Sequence, residues 1–273
     1  MKNNFKIFIL SAFGLVLLSL NSCKKQEVDN ETQTVVDNTT AESEFMRMQP
    51  TVNGRAVNNP GVKKQIMSPF SACPNVSVSG DTSWINQSDL PTMTFDYGTG
   101  CLDMDGRTRS GQMIAKFSKP YDSVGCVVTV TFSNFYCNGS KFEGVVQITR
   151  LATFSYNTKV IGGKVTGSSG WVITYDCDRT LTMTAGSSTL TDDTDDIFTL
   201  TGNASGTNRN GKHFTVNITS ALTKMATCKW LSAGSLEVTP EGLATRTVDY
   251  GNGTCDNKAT FSVNGNSFEF TMN

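Results

Sequence analysis

Eight cysteines and one histidine bound the chemistry open to this chain of 273 residues. His213 precedes a run in which Phe214, Val216 and Ile218 alternate with Thr215 and Asn217. It shares the polar face of that run and is expected to meet solvent. A lone, solvent-facing histidine argues against a Ser-His-Asp triad and against a multi-histidine zinc site. No Cys-x-x-Cys pair is present, so the cysteines read as structural rather than redox-active. Asp103-Met104-Asp105-Gly106 has the composition of part of a calcium loop. With Gly106 in the sixth position of such a loop, the first and twelfth would be Cys101 and Gln112, neither a proper ligand there. Asp192, Asp193, Asp195 and Asp196 cluster in one loop, where solvated acids are the expectation and a cation site the alternative. A glycosidase needs two carboxylates about 5–9.5 Å apart. Many acids here could form such a pair, and nothing singles one out. Trp84, Trp171 and Trp230 could stack on sugar rings, but Trp171 alternates with Ile173 and Tyr175 and reads as core. No catalytic residue, metal ligand or cofactor site is therefore assigned.

The cysteine with the clearest chemistry is Cys23. Lys2 and Lys6 give a basic start, and Ile7 to Leu20 is almost wholly apolar. Fourteen helical residues span about 21 Å, short of a bilayer core of roughly 30 Å, so the segment reads as a signal-peptide core and not a membrane span. It ends in Leu20-Asn21-Ser22-Cys23, which resembles the lipobox of bacterial lipoproteins. The resemblance implies that residues 1–22 are removed and that the Cys23 thiol carries a diacylglyceryl group. Two or three acyl chains suffice for stable anchoring. The implied location is the cell envelope, lipid-anchored at the outer membrane, on its periplasmic face or at the cell surface.

Without the two leader lysines the chain carries 21 basic and 24 acidic residues, a net charge near −3. No basic field is available to gather nucleic acid. Charged residues make up only 17% of the chain, while Thr, Ser, Gly and Asn are abundant, a composition suited to exposed sheet faces and tight turns.

Residues 24–44 are polar, mixed in charge and without an apolar period, so residues 23–44 are expected to form a disordered tether. Residues 45–70 are transitional. From residue 71 to 273 the pattern is alternation, as in Val128, Val130 and Phe132 against Thr129, Thr131 and Ser133. Asn138-Gly139, Gly162-Gly163, Asn210-Gly211 and Asn264-Gly265 punctuate these runs as hairpin turns. The expected fold is all-β: one domain, an antiparallel meander of hairpins closing as a sandwich or a partly open barrel.

An internal repeat lies within that domain. Residues 90–101 read LPTMTFDYGTGC and residues 243–255 read LATRTVDYGNGTC. Ten positions after each cysteine stands a glycine, Gly111 or Gly265, and upstream stand Cys73 and Cys228. The upstream spacings are 28 and 27 residues, which points to a duplication with copies at about 73–118 and 228–273. The near-equal spacing favours bridges within each copy, Cys73 to Cys101 and Cys228 to Cys255. The competing arrangement joins Cys101 to Cys255 and Cys73 to Cys228. Cys126 and Cys137 are eleven residues apart in what reads as one strand. An odd separation puts them on opposite faces and roughly 36 Å apart, too far to bridge, so one of them would reach Cys177 and leave the third free.

These two motifs, with SGTNRNGKHFTVNIT at 205–219 and TRTVDYGNGTCDNKATFSVNG at 245–265, resemble an uncharacterised family of bacterial lipoproteins. The resemblance strengthens the lipoprotein reading and implies nothing about catalysis. Cys126, Cys137 and Cys177 lie outside its pattern. The functional expectation is a non-enzymatic binding or scaffolding protein of the envelope, with the membrane as one partner and a glycan or another envelope protein as the second. A glycan-binding module would instead show a row of exposed aromatics. A carboxylate-dependent glycoside hydrolase would show converging acids with raised pKa values.

Overall fold

The computed structural model describes residue 29 and residues 31–56, 73–103, 105–189 and 194–272. Residues 1–22 and Cys23 lie outside the described residues. Two helices come first, α1 (Gln33–Phe45) and α2 (Met48–Ala56). The strands follow as β1 (Asn75–Ser79), β2 (Thr92–Asp96), β3 (Cys101–Leu102), β4 (Thr108–Phe117) and β5 (Val127–Cys137). Next come β6 (Ser140–Ala152), β7 (Ser155–Thr166), β8 (Val172–Ala185), β9 (Ile197–Thr207) and β10 (His213–Met225). The last are β11 (Ala233–Pro240), β12 (Arg246–Asn252), β13 (Lys258–Val263) and β14 (Asn266–Thr271). They form one antiparallel sheet in chain order, with β3 pairing beside β4.

The expected meander is thus present as a single 14-stranded sheet, and its ladder is open between β1 and β14 among the described residues. Topology accounts for the open edge. Twelve antiparallel steps separate β1 from β14, and an even number leaves both edge strands running the same way. Direct closure would pair them as a parallel seam, slightly less stable per residue than the antiparallel ladders of the rest of the sheet.

Alternation produces one buried face. Val128 and Val130, Phe142, Val146 and Ile148, Ile173 and Tyr175, Phe214 and Val216, and Leu236 and Val238 all join one core. Asn138-Gly139 and Asn264-Gly265 make the expected two-residue turns, with positive φ at both positions. Gly162-Gly163 does not turn the chain. It lies inside β7 at a register shift, so that Val160 and Val165 both face inward across it.

A second bulge corrects the reading of Cys126 and Cys137. The register of β5 shifts between Thr131 and Tyr136, where Asn134 has φ +46° against Gly111 with φ +78° on β4. The extra residue reverses the parity, so Cys126 and Cys137 are both buried on the inner face despite their odd separation. A Cβ on Gly111 would lie 1.9 Å from the Asn134 carbonyl oxygen. Gly265 instead forms a hairpin turn with open space around it, so the two matched glycines serve different purposes.

The duplication does not appear as a repeated unit. Motif strands β2 and β12 are nine antiparallel steps apart, so they run in opposite directions. Yet Met93 and Phe95 of one, and Arg246 and Val248 of the other, face the same core. Each strand has its successor on the same side in the sheet order. Reversing direction while keeping both face and order is a reflection, which no rotation of an L-peptide can reproduce. The shared feature is local: Asp96 Oδ1 accepts from the Gly98 amide and Asp249 Oδ1 from the Gly251 amide, each at 2.8 Å.

The largest departure concerns residues 29–56. The expected tether is an ordered helix over Gln33–Phe45, and the transitional segment holds α2, with residues 57–70 outside the described ones. Thr34, Asp37, Asn38, Ala41, Glu44 and Phe45 are buried, a stripe with helical spacing. Met48, Val52 and Ala56 extend it into α2 and the common core. The period exists, but α1 writes it largely in polar residues. Phe45 stacks on Tyr175 with centroids 5.9 Å apart, and Gly163 leaves room for its ring.

Candidate functional site

The turns joining β5–β6, β7–β8, β9–β10 and β11–β12 lie together at one end of the sheet, called here the upper end. Helix α1 crosses the strands just beneath it. Its acids, and two that precede it, meet arginines in sequence: Asp29 and Glu31 ahead of the helix meet Arg246 on β12, Asp37 meets Arg209 in the β9–β10 turn, Glu42 meets Arg179 on β8, and Glu44 meets Arg109 on β4. Five strand steps separate β4 from β9, about 24 Å in a flat sheet, whereas Asp37 and Glu44, which meet Arg209 after β9 and Arg109 on β4, are only about 11 Å apart along α1. The sheet must therefore curl around α1. Helix α2 turns towards the lower end, where Asn53 Oδ1 accepts from the Tyr121 hydroxyl at 3.1 Å and the Tyr156 hydroxyl at 3.5 Å.

The three strand arginines, Arg109, Arg179 and Arg246, are inward because strand parity makes them so. Arg179 continues Ile173, Tyr175 and Cys177, and Arg246 shares its face with Val248. A buried guanidinium needs a counter-charge and a partner for its donors. Arg109 is held most completely. Its Nε and Nη2 donate to the two Glu44 oxygens at 2.8 and 3.0 Å, while Nη1 reaches Asp103 at 2.9 Å and Nη1 and Nη2 reach Asp105 at 2.8 Å. Arg107 adds a 2.7 Å contact to Glu44, and Arg47 stands 3.1 Å from Asp105. Arg179, with its side chain fully buried, donates Nε to Glu42 at 2.8 Å and Nη1 to the Gly202 carbonyl at 2.7 Å. Arg209 uses both its amide and its side chain on Asp37, at 2.8 and 2.6 Å, and its guanidinium lies 4.2 Å from the centroid of Trp171. Arg246 holds Asp29 at 2.6 Å and also donates to the Ala244 carbonyl.

Electrostatics follow from this pairing. Burial pushes the Asp105 carboxyl up, but hydrogen bonds and charge from Arg109 outweigh it and leave the group below the usual carboxylate range. Burial likewise disfavours charge on Arg179, and Glu42 more than restores it. With Asp105 held ionised and Arg179 held charged, neither is poised to exchange a proton near neutral pH.

The residues singled out from sequence fall as follows. Cys73 is bonded to Cys101 with Cα atoms 6.0 Å apart, and Cys228 to Cys255 with Cα atoms 5.6 Å apart. Neither Cys126 nor Cys137 reaches Cys177; all three are buried thiols. Burial pushes Cys177 up to about 11, and burial with Glu44 nearby pushes Cys137 up to about 12. His213 is exposed, with Nδ1 3.1 Å from Thr207 Oγ1. Asp103 and Asp105 are engaged by arginine. Asp192 and Asp193 lie outside the described residues, and Asp195 accepts from Thr189 Oγ1 at 2.7 Å. Trp84, Trp171 and Trp230 are each half-buried and lie on separate loops or strand ends. No group of three or more His, Cys, Asp or Glu side chains able to hold a metal occurs among the described residues.

Sequence reasoning missed Arg109, Arg179 and Arg246 with their partners Glu42 and Glu44. The available signal was an arginine at an apolar parity position in a strand, together with an acid-rich segment lacking an assignment. No family model, no curated protein and no solved structure matches this chain. Fold and site together define an open β-meander whose inner face is filled by its own N-terminal helices.

Proposed function

We propose that the chain is a lipid-anchored protein of the bacterial cell envelope that acts by binding or scaffolding rather than by catalysis. The observation that carries the non-enzymatic reading is the occupied inner face: α1 and α2 fill it, and the acids nearest the surface of that seam are neutralised by arginine. Work on a partner then falls to the outer face, the turns and the free edges. The lipobox at Leu20–Cys23 supports the anchor, and two disulfides suit an oxidising compartment. No described helix is long and apolar enough to cross a membrane. The aromatic platform of a glycan module has little support: Tyr136 and Phe268, 37% and 48% exposed, are the large exposed aromatics among the described residues, and they lie on β5 and β14, far apart in the sheet.

The anchor is tested by Cys23→Ser. The wild type should incorporate a clickable palmitate analogue and stay with membranes through a high-salt wash, and the variant should do neither. Retention of the variant after the wash would refute the anchor. A glycan array probed with residues 24–273 addresses the partner, and saturable binding to one glycan class would replace scaffolding with glycan recognition.

A further inference from the structure

Resting on the proposed anchor at Cys23, we infer that the upper end of the sheet, at its β11–β14 side, is the surface held against the lipid headgroups. The described structure reaches back past residue 45 to Asp29, whose carboxylate is fixed to Arg246, the first residue of β12. Six residue steps join Cys23 to Asp29. A fully extended chain covers about 3.5 Å per residue, so the lipid and Asp29 are at most about 21 Å apart. The 21-residue tether expected from composition would have allowed roughly 75 Å by the same rule. The difference decides the geometry: a domain on the longer leash could turn any side to the bilayer, and on the shorter one it cannot. The turn 241–245 directly precedes Arg246, and the turn Asn264-Gly265 caps the neighbouring hairpin at the same end. Exposed groups in these two turns are Glu241, Gly242, Thr245, Asn264 and Gly265, all polar or small, with Phe268 exposed on β14 beyond them. That chemistry suits contact with hydrated headgroups and not insertion among acyl chains.

The test uses the full lipidated chain in vesicles of phosphatidylcholine and phosphatidylglycerol containing a trace of rhodamine lipid. A donor dye is placed on Glu241→Cys, the three native thiols being buried. Adding the offset between Asp29 and the turn to the tether predicts a closest approach within about 40 Å of the bilayer surface. Flotation with the vesicles and a distance inside that limit is the expected result. Flotation with a longer distance overturns the inference while leaving the anchor standing, because α1 would then have left the sheet. Failure to float, with no palmitate incorporated, removes the anchor and the inference with it.

Discussion

Replacing Glu42 by glutamine removes the only counter-charge in contact with Arg179 among the described residues and leaves the guanidinium with neutral acceptors alone, the Gly202 carbonyl and the new amide oxygen. The Arg179 side chain is fully buried and Glu42 keeps 15% exposure. Breaking a buried pair by removing one partner costs about 3–5 kcal/mol, and water reaching the Glu42 side places this case near 3 kcal/mol. For a domain of this size that is a fall of about 6–12 °C in Tm. In urea the midpoint should drop with an unchanged slope, since the exposed surface on unfolding hardly differs. The companion variant Glu42→Leu with Arg179→Met replaces the pair by apolar groups of similar volume. It should lie within about 1 kcal/mol of wild type; with Glu42→Leu and Arg179→Met also measured alone, and Glu42→Leu costing at least about the 3 kcal/mol of Glu42→Gln, the cycle has a coupling of at least about 2 kcal/mol. Hydrogen exchange across residues 33–45 should accelerate in Glu42→Gln and not in the double variant. A single variant within about 0.5 kcal/mol of wild type, or an additive cycle, would mean that α1 is not seated on the sheet in solution.

Gly111→Ala should destabilise by at least about 2 kcal/mol, because it forces both a positive φ and a clash with Asn134, whereas Gly265→Ala should cost nearer 1 kcal/mol; equal losses by urea denaturation would contradict the bulge. Folded protein should show no reaction of Cys126, Cys137 or Cys177 with a thiol reagent at pH 8, and three thiols should appear on denaturation without reductant; a linked peptide containing any of them would refute the assignment. The depressed Asp105 carboxyl contributes stability that is complete above its unfolded pKa near ~3.9 and is lost as pH falls through its lower folded value. Urea midpoints should therefore fall below about pH 4 in the wild type and less steeply in Asp105→Asn, and identical acid limbs would argue against the Arg109 pairing.

The strands were legible because a period of two needs only apolar residues at alternate positions, and Val128/Val130, Phe142/Val146/Ile148 and Phe214/Val216 supply them. The Asn-Gly turns were legible for a stereochemical reason, since both residues tolerate positive φ. The bulges were not, because one inserted residue leaves no compositional trace beyond a glycine. That gap turned Cys126 and Cys137 onto opposite faces on paper when they share one in the fold. Helix α1 was illegible for a different reason. Its buried stripe includes Thr34, Asp37, Asn38 and Glu44, and burial of such groups is determined by partners more than a hundred residues away for Asp37 and Thr34, and sixty-five away for Glu44. A search for apolar periodicity cannot register a helix whose docking energy is written in the arginines of another segment.

That choice of chemistry has a structural consequence. An apolar stripe on a smooth sheet can slide by a turn at modest cost, because methyl groups accept many neighbours. The seam cannot. Moving α1 by about one turn, roughly 5.4 Å, would set Arg179 opposite Asn38, leaving its buried guanidinium without a counter-charge at several kcal/mol, and would set Arg109 opposite Thr40 or Ala41, leaving it Asp103 and Asp105 but not the paired oxygens of Glu44. The spacing of the acids matches one register of the arginines on β4, β8, the β9–β10 turn and β12, and the sheet curvature that brings those strands together is the same curvature that the helix fills. Helix position and sheet curvature therefore specify each other, and an open meander with two parallel edge strands obtains from its N-terminal segment the constraint that a closed ladder would otherwise supply.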